Sequence, residues 1–108
     1  MPYPETPMSN PHVLHLIVSP SVEYSIADWL LERNEVSGFS TLPIRGHGSS
    51  EKSMSVAERV AGRSQQVLFM VHLEQTEAQH LLRAIRAEFR GSGMHYWLIP
   101  AADAGHLD

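Results

Sequence analysis

Three short segments of the sequence are apolar at nearly every position, and they restrict the fold more than any other feature. They span residues 12–18, 67–73 and 94–100. Successive side chains of a β-strand point to opposite faces, so a strand without polar alternation needs cover on both faces. Each segment is also much shorter than the roughly 20 apolar residues that cross a bilayer. The sequence therefore predicts a sheet buried on both sides, without membrane insertion.

Two amphipathic segments separate these strands. The first predicted helix begins with Ser19 as N-cap and Pro20 in the first turn. The second follows a capping box at residues 76–79 and ends at Gly91-Ser92-Gly93. Their apolar stripes consist of Val22, Ile26, Trp29 and Leu30 and of Ala78, Leu82, Ile85 and Phe89.

A further strand starts near Gly38, so the predicted order is βαββαβ. This order folds most simply as an α+β, ferredoxin-like domain, a four-stranded antiparallel sheet with both helices on one face. We expect the domain at residues 12–100, a long loop at 47–64, a disordered tail at 1–11 and a second tail at 101–108. Because two helices cover only one face, the other apolar face predicts a closed homo-oligomer.

Composition excludes several classes of protein. The chain has 108 residues, 43% of them hydrophobic, which suits one globular domain. It has no cysteine, so disulfides and thiolate metal sites are excluded. A net charge of −4 argues against nucleic-acid binding. The first residues lack the basic start and apolar run of a secretory signal, so we expect a cytoplasmic protein.

The second strand ends in Gly46-His47-Gly48, which is the first candidate for a ligand site. Glycines on both sides of one residue mark a positive φ or a close approach by another group. Successive amides at such a corner can bind an anion. The alternative interpretation is a glycine-rich exit from a strand.

Several of these motifs resemble those of the nitrogen-regulatory P-II family. Gly38, Ser40 and Gly46-His47-Gly48 have the spacing of the glycine, hydroxyl residue and Gly-aromatic-Gly pattern that precedes the T-loop of that family. Residues 29–33, 36–39, 60–63 and 95–97 look most like a group of uncharacterised P-II-like bacterial proteins catalogued as a domain of unknown function. The resemblance covers roughly residues 12–100.

The resemblance implies a non-enzymatic regulatory protein. It would be a homotrimer that binds adenine nucleotides in clefts between subunits and contacts a transporter or an enzyme through loop 47–64. Amides of the Gly-His-Gly corner would face the ligand, and Ser40 would face its base. The implied ligand-binding residues are Gly38, Ser40, Gly46, His47, Gly48, Arg63, Gly91 and Gly93.

The cations that would bind phosphate in this family are missing from their usual places. Met94 replaces the lysine after the second helix, and residues 101–108 contain no lysine or arginine. Gln65 and Gln66 stand where a lysine is expected before the third strand. The basic candidates that remain are Lys52, Arg59 and Arg63. A polyphosphate without cationic contacts forfeits its strongest hydrogen bonds, so the cofactor stays open between a nucleotide and a divalent metal.

The seven histidines support the alternative function, a metal-binding protein like the CutA cation-tolerance proteins of the same fold. His47 and His72 are the candidate ligands, and His15, His72 and His95 could converge across strands or subunits. Imidazole suits zinc, copper or nickel. A hydrogen-bonded core or interface role is the competing interpretation. Since the sequence has no nucleophile with a spaced base and no paired carboxylates, we expect no enzyme.

Overall fold

The computed structural model describes residues 8–47 and 63–107, and these form a four-stranded antiparallel sheet in the order β2-β3-β1-β4. The elements are β1 Pro11–Val18, a 3₁₀ turn Pro20–Val22, α1 Glu23–Leu31, β2 Phe39–His47, β3 Arg63–Glu74, α2 Gln75–Glu88 and β4 His95–Pro100. The predicted ferredoxin-like βαββαβ fold is confirmed. Within the described ranges, no helix is long and apolar enough to span a membrane.

Ser19 caps the 3₁₀ turn that precedes α1, whereas Val22, the N-cap of α1 itself, makes no side-chain hydrogen bond. The Oγ of Ser19 accepts a hydrogen bond from the Ser21 amide at 3.4 Å, as the sequence predicts. The cap of α2 lies two residues earlier than predicted, because Glu74 is the N-cap and forms a reciprocal capping box with Glu77. The box predicted at residues 76–79 is therefore wrong.

The hydrophobic core lies between the two helices and one face of the sheet. Phe69 and Leu14 are fully buried at its centre, and Trp29 packs edge-on against Phe89 at a ring-centroid distance of 5.0 Å. Side chains from every second position of β1 and β3 face the helices. The buried apolar residues of the two strands are Leu14, Leu16, Val18, Val67, Phe69, Val71 and Leu73.

The opposite face of the sheet is called the open sheet face here. It carries the alternate positions of all four strands, most of them apolar and half-buried or exposed. Leu42, Trp97 and Ile99 are among the large hydrophobic side chains left exposed. The central part of the open sheet face consists of Val13, His15, Ile17, Ser40, Leu42, Ile44, Gln66, Leu68, Met70, His72, His95, Trp97 and Ile99, and Pro11, Gly46, Ser64 and Glu74 continue the same alternation at the strand ends.

The described ends of the domain are more ordered than the sequence suggests. The Met8 amide donates to the Ala104 carbonyl at 2.9 Å, and the Ala101 amide donates to the Pro11 carbonyl at 3.0 Å. The Asn10 amide also donates to a carboxylate oxygen of Glu74 at 2.9 Å. The tails predicted at 1–11 and 101–108 therefore include residues bonded to the domain, while residues 1–7 and 108 lie outside the described ranges.

Candidate ligand site

The hairpin of β2 and β3 extends beyond the rest of the sheet. β1 pairs with β3 only as far as Val18 and Val67, whereas β2 and β3 stay paired to His47 and Arg63. The predicted loop at 47–64 is therefore shorter at both ends. Its remainder, residues 48–62, lies outside the described ranges and includes Gly48. Hydrophobic periodicity could not show this extension, because residues 63–66 are polar and pair through their backbones.

Gly46 lies inside this ladder, opposite Ser64, and its φ is not positive. A Cβ at this position would overlap the end of the Gln66 side chain and would lie 3.2 Å from the Oγ of Ser64. The space that the glycine leaves is thus used by the chain's own glutamine. The predicted Gly-His-Gly corner is a strand as far as His47, and the close approach at Gly46 comes from Gln66.

Gly38 and Ser40 lie at the other end of β2. Gly38 precedes the strand, and Ser40 is an exposed residue of the open sheet face opposite Met70. Gly46 lies six residues further along the strand than Ser40, roughly 20 Å away at about 3.3 Å per residue. One chain therefore does not bring Ser40 and Gly46 together around a small ligand.

The turn between α2 and β4 has an unusual backbone. Gly91 and Gly93 have φ values of 80° and 81°, a conformation that glycine adopts without a steric penalty. The Ser92 amide donates to the Phe89 carbonyl at 3.1 Å, and the Met94 amide donates to the Ser92 Oγ at 3.3 Å. The turn therefore ends the helix as the sequence predicts and holds the two glycines at the protein surface.

A cavity of about 370 Å³ opens beside this turn. The Arg86 guanidinium donates two hydrogen bonds to the Tyr96 hydroxyl, at 3.2 Å and 3.0 Å, which fixes it at the wall. Arg90 is exposed and makes no ion pair within the described ranges. Among the described residues, the lining contains no acidic side chain and consists of Ile85, Arg86, Phe89, Arg90, Gly91, Ser92, Gly93, Met94 and Tyr96.

Arg86 and Arg90 line the candidate site and were not predicted from the sequence. The sequence-based prediction assigned the remaining cations to the loop, but the structure places two guanidinium groups beside the glycines of the turn. Their signal is present in the sequence, because Arg86 stands in the last turn of the predicted helix and Arg90 directly precedes Gly91, so both flank the predicted turn. The cavity thus combines positive charge with the apolar surfaces of Phe89 and Met94.

The hairpin end and the cavity lie at the same end of the sheet but at opposite edges. Val18, which ends β1, pairs with Val67 next to the protruding hairpin, and Ile17 pairs with His95 at the start of β4. β2 and β4 are separated by three strand spacings, roughly 14 Å at about 4.8 Å each. A single chain therefore does not join Gly46 and Gly91 into one compact site.

The proposed metal ligands are not brought together in one chain. His47 is the last residue of β2 and pairs with Arg63, whereas His72 lies nine residues further along β3, roughly 30 Å away, on the open sheet face. A site made of His47 and His72 within one chain is therefore excluded. Among the described residues, no three histidine, aspartate or glutamate side chains are grouped closely enough to hold a metal.

Comparison with known families places the sequence. The family described as "Protein of unknown function (DUF3240)" matches residues 8–108. The chain belongs to the DUF3240 family. No curated protein sequence matches this DUF3240 chain. A solved DUF3240 family protein from Shewanella baltica OS155 is 25% identical to it, with a TM-score of 0.73, and the match covers 94% of this chain and 100% of that chain.

Solved PII-like and CutA proteins share the fold of the DUF3240 chain. CPII from Thiomonas intermedia K12, a nitrogen regulatory PII-like protein bound to ADP, AMP and bicarbonate, is 17% identical with a TM-score of 0.65, over 93% of this chain and 97% of that chain. The periplasmic divalent cation tolerance protein CutA from Archaeoglobus fulgidus is 14% identical with a TM-score of 0.63, and the match covers 85% of this chain and 84% of that chain. The P-II-like resemblance is therefore confirmed at the level of fold.

Proposed function

We propose that this DUF3240 chain is a non-enzymatic, P-II-like regulatory protein. It forms a homotrimer, binds an adenine nucleotide in clefts between subunits, and contacts a transporter or an enzyme through the segment between β2 and β3. The observation that carries the proposal is the cavity at the turn between α2 and β4, where Arg86 and Arg90 stand beside two glycines.

The cavity offers contacts both for the base and for the phosphates of a nucleotide. Phe89 and Met94 offer apolar surface to a flat base, and hydrogen bonds from guanidinium groups to phosphate are among the strongest available in proteins. Arg90 is available for this contact, while Arg86 is oriented by Tyr96. These arginines supply the positive charge that the sequence lacks at Met94. The solved CPII protein with the same fold, bound to ADP and AMP, supports this choice of ligand.

The positions of the two glycine segments support a cleft between subunits. β2 and β4 are the two edge strands of the sheet. When two copies lie side by side, the edge of one meets the edge of the next, and the hairpin end with Gly46 then approaches the turn with Gly91. Neither segment reaches the other within one chain.

Calorimetric titration with AMP, ADP and ATP tests the proposal. We expect saturable binding of at least one of them, and Arg90→Gln should weaken it about tenfold, because a charged hydrogen bond contributes about 1.5–3 kcal/mol. The matched control is Arg83→Gln, an exposed arginine of α2 outside the cavity lining, which should bind like the unaltered protein. Absence of binding by all three nucleotides, or equal affinity in Arg90→Gln, would contradict the proposal.

A further inference from the structure

His15 lies between a methionine and a tryptophan on the open sheet face. The register places it directly opposite Met70 of β3 on one side and directly opposite Trp97 of β4 on the other. Directly opposed side chains of an antiparallel pair have Cβ atoms about 4.5–5.5 Å apart. The imidazole meets the indole edge-on, with ring centroids 6.1 Å apart and planes at 62°. A thioether, an imidazole and an indole therefore occupy one row across three strands.

The imidazole of His15 has no polar partner within the described ranges. It is half-buried, and the ring contact with Trp97 is its recorded interaction. By contrast, the Nδ1 of the buried His12 lies 3.1 Å from the Asn10 carbonyl. A neutral imidazole always keeps one nitrogen with a free lone pair, which can bind a metal. His15 therefore has a ring nitrogen that can bind a metal, and unlike the buried His12 it is only half-buried.

The charge of this face selects the kind of metal. Glu74 continues the alternation of Met70 and His72 at the end of β3, but its carboxylate accepts hydrogen bonds from the Ser9 and Asn10 amides. It lies four residues from Met70, roughly 13 Å at about 3.3 Å per residue, too far to neutralise a divalent ion at His15. Thioether and imidazole ligands together favour Cu(I), which is soft and has a single charge. The face of an indole also attracts a cation that lies near it. We infer that His15 and Met70 bind Cu(I), with Trp97 beside the ion.

This site differs from the divalent site considered at His47 and His72 in its residues, its metal and its place in the fold. It is also independent of the proposed nucleotide cavity, which lies on the other side of the sheet: the cavity residue Tyr96 neighbours Trp97 in β4 but points to the opposite face. In the proposed trimer the site lies at the contact between copies, because it belongs to the open sheet face. Failure of nucleotide binding by itself leaves the inference untouched, and the reverse also holds.

Titration with Ag(I), a redox-stable probe for Cu(I), in chloride-free buffer tests the inference. We expect one Ag(I) per chain, quenching of tryptophan fluorescence, and at least tenfold weaker binding in both His15→Ala and Met70→Leu. Trp97→Phe should remove the quenching that Ag(I) causes. Zn(II) should bind more weakly than Ag(I). Controls are His80→Ala, an exposed histidine of α2, and Met8→Leu, which should both bind like the unaltered protein.

A measurement on the unaltered sequence guards against variants that do not fold. With ¹³C-labelled methionine methyl groups, the Met70 signal should shift on addition of Ag(I), and also with Cu(I) kept reduced under anaerobic conditions. An unshifted Met70 signal at saturating Ag(I) overturns the inference. Unchanged Ag(I) affinity in folded His15→Ala and Met70→Leu, or tighter binding of Zn(II) than of Ag(I), overturns it as well.

Discussion

The glycine at position 46 is explained by neighbouring side chains and not by an unusual backbone conformation, because its φ is not positive. The end of the Gln66 side chain occupies the space where a Cβ would lie, and the Oγ of Ser64 would be 3.2 Å from that Cβ. Alanine is more favourable than glycine in a strand interior by about 0.5–1 kcal/mol, so only this crowding opposes the substitution.

We therefore predict that the effect of Gly46→Ala depends on Gln66. In the natural sequence the gain from alanine should be offset by the cost of displacing the flexible end of the Gln66 side chain, so the free energy of unfolding should change little. In a Gln66→Ala background the substitution should raise it by about 0.5–1 kcal/mol. A double-mutant cycle by urea denaturation measures the coupling, expected at about 0.5–1 kcal/mol. Equal effects of Gly46→Ala in both backgrounds would show that Gln66 does not restrict this position.

At the scale of residues, the sequence identified which positions are unusual better than why they are. The glycine at 46 marks a close approach, as expected, but the group that approaches is an internal glutamine, which composition cannot indicate. The glycines at 91 and 93 do have positive φ values. Arg90 was overlooked because its role depends on a turn that brings it beside a cavity.

At the scale of elements, the turn after α2 determines where β4 begins. Gly91 and Gly93 reverse the chain within a few residues, and both have open space where a Cβ would lie. The cost of a side chain at either position is therefore backbone strain without steric overlap. A left-handed conformation costs an ordinary residue about 1–2 kcal/mol.

We predict that Gly91→Ala and Gly93→Ala each lower the free energy of unfolding by about 1 kcal/mol. Gly91→Asn should cost less, because asparagine tolerates positive φ better than alanine. Urea denaturation of the three variants provides the comparison. If Gly91→Asn lowered stability as much as Gly91→Ala, backbone conformation would not be the cause of the loss. The loss would then come from contacts that the glycine makes in the turn.

Elements with a hydrophobic period were predictable, and their polar ends were not. The apolar runs located β1, the centre of β3 and β4, and the helical stripes located α1 and α2. The polar start of β3 was assigned to a loop because its pairing with β2 uses backbone groups that every residue has. The α2 cap was misplaced because a glutamate, Glu74, occupies the position that serine or threonine usually fills.

At the scale of the whole molecule, the open sheet face is an apolar surface that one chain leaves uncovered. Leu42 is 46% exposed and Ile99 is 39% exposed, and they lie at opposite edges of a largely apolar face. Contiguous apolar surface of this kind is uncommon on monomers and typical of subunit contacts. The proposed trimer buries it against further copies, which also explains why the strands have apolar residues on both faces.

We predict that a single lysine on either edge strand of this face disrupts assembly. Leu42→Lys and Ile99→Lys each place a charge where copies pack, and an unpaired buried charge costs several kcal/mol, enough to shift a trimer to monomers at micromolar concentration. The matched control is Leu31→Lys, because Leu31 is 67% exposed on α1, away from the sheet. Sedimentation equilibrium should give a trimer for the unaltered protein and for Leu31→Lys, and monomers for the other two. A monomeric unaltered protein would show that the chain does not assemble. Dissociation by Leu31→Lys alone would show that the subunit contact lies elsewhere.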